Sequence, residues 1–173
     1  VYFDIYKAEV VIPSLESTSE LYNGKSQSAV IVDEVTGNSA LYDITANNFV
    51  NVGKHKVELS LKDSNNYIWS NGNTQKIYLD FEITQNQAQI TKLSIGNWVY
   101  GETQKEPIIE YSDFVDKEKV TIEYIDEKNN SSTTKPSLAG KYTLKVTIDT
   151  TANYVGTTKT FDFEITKAVV TVP

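Results

Sequence analysis

The sequence predicts an all-β fold: two tandem Ig-like β-sandwich repeats arranged end to end. Three observations predict it. One short motif recurs in register near the start, the middle and the end of the 173 residues. Between its copies apolar and polar residues alternate with a period of two, the mark of a sheet with one face on a core. No stretch of useful length carries the helical period.

The motif is Phe-acidic-Ile. Phe3-Asp4-Ile5-Tyr6-Lys7-Ala8 and Phe163-Glu164-Ile165-Thr166-Lys167-Ala168 are offset by 160 residues, and the same offset carries Pro13 onto Pro173. Phe81-Glu82-Ile83-Thr84 lies 78 residues after the first copy and 82 before the last. Three registered copies mark a repeat boundary. The interiors agree. Gly53-Lys54-His55-Lys56-Val57 matches Gly140-Lys141-Tyr142-Thr143-Leu144 at an offset of 87, which also takes Asn66-Tyr67 onto Asn153-Tyr154. Tyr22 falls on Tyr100 at an offset of 78. The changing offset places insertions in loops, where they are tolerated. Residues 1–6 are then the end of a preceding repeat or a first strand, 7–84 the first sandwich, 85–166 the second, and 167–173 the start of a following repeat.

Taken in order, Val30-Ile31-Val32 and Ala40-Leu41-Tyr42 read as strands joined across Thr36-Gly37-Asn38. Val57, Leu59 and Leu61 alternate with Lys56, Glu58, Ser60 and Lys62, which is a half-buried strand. Asn71-Gly72 between Tyr67-Ile68-Trp69 and Ile77-Tyr78-Leu79 predicts a hairpin, because both central positions tolerate positive φ. Residues 81–93 contain no Gly or Pro and read as strand at both ends, which predicts a rod with limited bending; a hinge at 85–89 is the alternative. Val120 to Tyr124 is followed by a turn at Glu127-Lys128-Asn129-Asn130. Leu144, Val146 and Ile148 alternate with Lys145, Thr147 and Asp149. Six or seven short strands per repeat make a compact sandwich, below the ~100 residues usual for an Ig-like fold.

Composition narrows function by what is missing. There is no Met, so the chain is expected to be an interior piece of a longer one, and no Cys, which removes disulfides, thiol nucleophiles and thiolate metal sites. All 16 basic residues are Lys. Bidentate capture of phosphate is mainly arginine chemistry, so phosphoryl transfer and specific DNA reading are disfavoured. A net charge of −7 opposes nucleic acid and anionic membranes as partners. No apolar run approaches the ~18 residues of a membrane span.

The candidate chemistry is thin. His55 is the one histidine; its partner in the second repeat is Tyr142, so it reads as an amphipathic ring at the start of a strand, and no catalytic triad or histidine metal site is expected. The carboxylates fall on outward strand positions and in loops, and no enzyme activity is expected. Asp63-Ser64-Asn65-Asn66 and residues 149–153 are oxygen-rich enough for calcium, yet Asp, Asn and Ser also close turns on their own backbone. The turn reading prevails, and no cofactor is expected. Lys7 and Lys167 align, but no Lys–Asn–acid set for an isopeptide cross-link recurs. Asn129 and Asn130 each meet the N-glycosylation pattern, a short motif that carries little weight by itself. Trp69, Trp98 and Tyr100 are the candidates for ligand contact, since aromatic rings suit either a sugar platform or a core edge. Trp98 and Tyr100 share one face of their strand, and the match of Tyr100 to Tyr22 favours packing for the pair. Trp69, aligned near Gly156 and beside the Asn71-Gly72 turn, is expected to be partly exposed.

The chain resembles the MBG-type repeats of bacterial surface proteins, a group of Ig-like modules. The resemblance rests on Phe163-x-Ile165-Thr166-Lys167-Ala168, Trp98-Val99-Tyr100-Gly101-Glu102, Ala139-Gly140-Lys141-Tyr142-Thr143 and Asn153-Tyr154. It covers essentially the whole chain as two copies, the second being the closer match; the first has Leu21-Tyr22-Asn23-Gly24 for the tryptophan motif. The resemblance implies a secreted or cell-wall-attached protein of Gram-positive type, with modules acting as stalks or in adhesion. The expected partners are neighbouring repeats of the same chain and, in the binding alternative, a host protein or glycan met by a monomer.

Overall fold

The computed structural model describes residues 2–171, so the Pro173 counterpart of Pro13 lies outside the described residues. The chain divides after Thr84 into two compact units.

Unit one carries β1 (Ala8–Val10), β2 (Ser14–Leu15), β3 (Ser19–Leu21), β4 (Ile31–Val32), β5 (Tyr42–Ala46), β6 (Gly53–Leu61), β7 (Tyr67–Trp69) and β8 (Ile77–Thr84), with a 3₁₀ turn at Asn38–Ala40. Its main sheet runs β3-β8-β6-β5. Two strand pairs, β1 with β7 in parallel and β2 with β4 antiparallel, complete it. The alternation along β6 and β8 decides what is buried. Val57, Leu59, Phe81 and Ile83 point inward and are sealed from solvent, each contributing about 1.5–3 kcal/mol of burial. On the other face Lys54 lies opposite Glu82 and Lys56 opposite Asp80, charged pairs that keep it in water.

Unit two carries β9 (Asn86–Gln87), β10 (Ile90–Ser94), β11 (Trp98–Val99), β12 (Ile108–Tyr111), β13 (Val120–Asp126), β14 (Ser131–Ser132), β15 (Gly140–Ile148), β16 (Tyr154–Val155) and β17 (Thr157–Thr166), with a 3₁₀ turn at Lys117–Lys119. Its main sheet runs β11-β17-β15-β13-β14, and the pairs are β9 with β16 and β10 with β12. Apart from β14 this is unit one's strand graph again. Gly53 faces Ile83 and Gly140 faces Ile165; His55 faces Phe81 and Tyr142 faces Phe163. The backbone N–H of Tyr22 donates to the Thr84 carbonyl at 2.9 Å, and that of Tyr100 to Thr166 at 2.8 Å. The fold is all-β, and its repeated, multi-sheet units are β-sandwiches.

Two expected hairpins are corrected. Asn71-Gly72 does make a tight turn, with the Gly72 N–H donating to the Trp69 carbonyl at 2.8 Å. Yet β7 pairs with β1 and β8 with β6 and β3, so the turn joins two different sheets. Likewise β4 pairs with β2 and β5 with β6, so Thr36-Gly37-Asn38 passes the chain from one layer to the other. The third turn does close a hairpin. β13 and β14 pair antiparallel across residues 127–130, with Asn129 at φ 63°, a conformation Asn tolerates.

Candidate functional site

Trp69 ends β7 and is fully buried, at 0% exposure, against the expectation of a partly open ring. Its indole N–H donates to the Gln75 carbonyl at 2.9 Å, and its ring lies 5.8 Å from that of Tyr42. The backbone around it closes too, since its N–H donates to Asn73 at 2.9 Å. The Asn71-Gly72 turn therefore folds over the indole and shields it. A buried Trp normally needs a partner for its N–H, and Gln75 supplies one.

Trp98 is buried as well, stacked on Phe163 with ring centres 5.4 Å apart. Tyr142 stacks on the other side of the cluster at 5.6 Å from Phe163, and Tyr124 meets the same ring edge-on at 6.2 Å. Tyr100, expected to pack beside Trp98, is instead half-exposed at 50%. Strand parity fails there because β11 stops at Val99. Gly101, at φ 90°, turns the chain, and the Glu102 N–H donates back to the Val99 carbonyl at 3.0 Å. Trp69 thus belongs to unit one's core, Trp98 to unit two's, and Tyr100 to a turn of unit two.

The polar candidates are held by their own loops. His55 stacks on Phe49 at 4.5 Å, and its Nε2 is 2.8 Å from the Asn51 carbonyl oxygen. Asp63 Oδ1 accepts the backbone N–H groups of Asn65 and Asn66 at 3.0 and 3.3 Å, while Oδ2 accepts the Asn66 amide at 2.7 Å. Asp126 repeats this arrangement, accepting the N–H groups of Lys128 and Asn130 and the Asn130 amide, all at 2.9 Å. Those side-chain amides, more than the backbone, hold both carboxyls below the usual carboxylate range. In the other oxygen-rich loop the Thr151 hydroxyl accepts from Asn153 and Tyr154, both at 3.2 Å. Among the described residues no group of three His, Cys, Asp or Glu is arranged to hold a metal ion. Lys7 donates to the Ser64 carbonyl at 2.7 Å.

An open concavity of about 420 Å³ lies on unit two and is lined in part by Asn97, Asp126, Lys141, Asp162 and Glu164. Two of its acids have partners: Asp126 in its turn, and Asp162, which accepts the Thr143 hydroxyl at 2.7 Å. The Asn97 side-chain Oδ1 accepts the Glu164 backbone N–H at 2.8 Å. These contacts tie Asp126, Asp162 and Asn97 into the fold.

Sequence reasoning missed a polar knot in unit one. Asn38 is buried, and its amide donates to the Val11 carbonyl at 2.8 Å and to Asp33 Oδ1 at 2.7 Å; the Tyr42 hydroxyl donates to Asp33 Oδ2 at 2.7 Å. Burial, then the bond to Asp33, pushes the Tyr42 phenol well above its ordinary value, so it stays a donor. The signal was Asn38 itself, which pattern reading assigned to a turn. A second clasp left no signal: the Asn47 side chain pairs with both the N–H and the carbonyl of Ala29, each at 2.8 Å.

Among the described residues no helix is long and apolar enough to cross a membrane. No curated protein matches the chain. The MBG domain family model matches residues 8–80 and 115–169, so it finds both units. The matched stretch is longer in the first, although the tryptophan motif is complete only in the second. MBG domains are non-enzymatic repeats found in extracellular surface proteins. With the repeat register, the shared strand graph and more than half of the sequence matched, this chain belongs to the MBG domain family.

Proposed function

We propose that the chain is a non-catalytic spacer or stalk segment of a secreted or cell-wall-attached bacterial surface protein, supporting adhesion by carrying other modules away from the cell. The supporting observation is that two units build one strand frame and bury their indoles at different places in it. Trp69 and Trp98 turn inward at different positions, and carboxylates such as Asp63, Asp126 and Glu123 are bonded within turns and across sheet faces.

The termini fit this reading. Phe3 and Ile5 are 81% and 87% exposed, whereas their counterparts Phe81, Ile83, Phe163 and Ile165 are buried. Val170, counterpart of the sealed Val10, is likewise exposed. We propose that residues 2–6 supply the last strand of a flanking repeat and 167–171 the first strand of another. A spacer must hold its units apart in solution. Small-angle scattering of the monomer tests this: an elongated pair supports the reading, and a folded-over, compact pair overturns it.

A second reading, recognition of a host protein or glycan, is favoured by one observation, the half-exposed Tyr100 on its turn. Glycan-array or host-protein binding lost in Tyr100→Ala but kept in Tyr78→Ala would promote it.

A further inference from the structure

The sequence contains two Asn-Gly dipeptides, Asn23-Gly24 and Asn71-Gly72, both exposed and both in unit one. In each, the Asn carbonyl oxygen accepts the backbone N–H two residues on: Lys25 N–H at 2.9 Å for Asn23, Asn73 N–H at 3.2 Å for Asn71. That contact bends the side-chain carbonyl toward the next peptide. What differs is the glycine nitrogen. The Gly72 N–H donates to the Trp69 carbonyl at 2.8 Å as part of the turn that covers the buried indole. Among the described residues no hydrogen bond holds the Gly24 N–H.

We infer that Asn23 is a site of spontaneous deamidation, ageing to aspartate and isoaspartate well ahead of Asn71. The Gly24 nitrogen, giving its proton to solvent base, attacks Cγ of Asn23. The Lys25 N–H donates to Oδ1 as that oxygen takes up negative charge. The bond from Cγ to the side-chain nitrogen then breaks, ammonia leaves, and a five-membered succinimide remains. Water opens the ring at either carbonyl, giving aspartate or isoaspartate. Nothing is oxidised or reduced. At Asn71 the same attack must first break the Gly72–Trp69 bond and lift the turn off the core.

The product adds one negative charge to the −7 of the chain. In its isoaspartate form it inserts a methylene into the backbone just after Tyr22, whose N–H ties the end of β3 to Thr84. The modification is private to unit one, since at the offset of 78 residues Asn23 falls on Gly101.

The test is to age the folded chain at mildly alkaline pH, digest samples over time, and follow both Asn-containing peptides by mass spectrometry with isoaspartate methyltransferase labelling. One broken hydrogen bond of ordinary strength corresponds to about a fivefold difference, so Asn23 is expected to convert about five times faster than Asn71. The gap should close when the chain is digested first and the peptides are aged. Equal rates in the folded chain, a faster Asn71, or a gap that persists unchanged in the peptides would each overturn the inference.

Discussion

Apart from β14, units one and two draw the same strand graph, yet they fill it with large rings at opposite places. In unit one the indole sits at the end of β7 (Trp69), against Tyr42, and Glu20 stands exposed on β3. In unit two the indole sits on β11 (Trp98), where the strand register with β17 matches it to Glu20, and Gly156 follows β16 where unit one has Trp69. The tyrosines trade exposure in step: Tyr22 is buried where Tyr100 is half-exposed. Gly156 shows why the indole cannot occupy both places. A Cβ built there would lie 2.1 Å from the Ile148 carbonyl oxygen and 2.7 Å from the Thr150 nitrogen. Unit two closes that corner with backbone and with Tyr154, packed on Phe114 at 5.8 Å. A sandwich frame is thus specified by β-strand alternation and a few glycines, while the volume inside is filled by whichever large rings fit.

The largest expected effects come from removing each indole. Trp69→Ala should cost unit one about 3–5 kcal/mol, and Trp98→Ala should cost unit two a similar amount. Hydrogen exchange reads each unit separately: Trp69→Ala should strip protection from Gly53–Leu61 and leave Gly140–Ile148 protected. Equal loss in both strands breaks the comparison. Next is Gly156→Ala, which drives a methyl into backbone that cannot swing aside and should destabilise unit two by about 1–3 kcal/mol. A neutral melting temperature would show that the corner is looser than its geometry. Asp33→Ala should cost unit one about 1 kcal/mol, because it leaves the Asn38 amide and Tyr42 hydroxyl short of an acceptor. Tyr42→Phe should soften that penalty, since one of the two orphaned donors is then gone; a double-mutant cycle measures it.

The smallest effect is one the two units share. Asp63 and Asp126 close equivalent kinds of turn and are both held below the ordinary aspartate value of 3.8. A lowered folded-state value means each turn keeps its full contribution above that pH and loses it as the pH falls through the lower folded value. Amide shifts of Asn65 and Asn130 should therefore stay flat through 3.8 and move only in stronger acid. Movement centred on the ordinary value would show that the carboxylates are solvated rather than bonded.

Much of this is legible in the sequence. The offsets that align Gly53 with Gly140 and Phe81 with Phe163 are the register of β6 on β8 and β15 on β17. Alternation placed Val57, Leu59, Leu144 and Val146 inward because a strand's period of two leaves no other arrangement. What resisted reading was long-range pairing. A turn residue reports the local φ, not which sheet the next strand joins, so Asn71-Gly72 and Thr36-Gly37-Asn38 looked like hairpins. β1 and β7, far apart in sequence, pair in parallel with no local signature. The exposure of the aromatic candidates resisted reading for a related reason. Exposure at Trp69 was read from its alignment with Gly156, but aligned positions share backbone and not the space around it. Tyr100 was assigned by parity from a strand that ends one residue earlier.

Tryptophan fluorescence tests the central claim most directly, because each unit carries one indole. With Trp98→Phe leaving only Trp69, and Trp69→Phe leaving only Trp98, acrylamide quenching reads each ring alone. Both should emit at short wavelength and resist quenching until the chain unfolds. Solvent-like emission and free quenching of Trp69 in the folded chain would contradict the account and return that ring to the surface as a ligand contact.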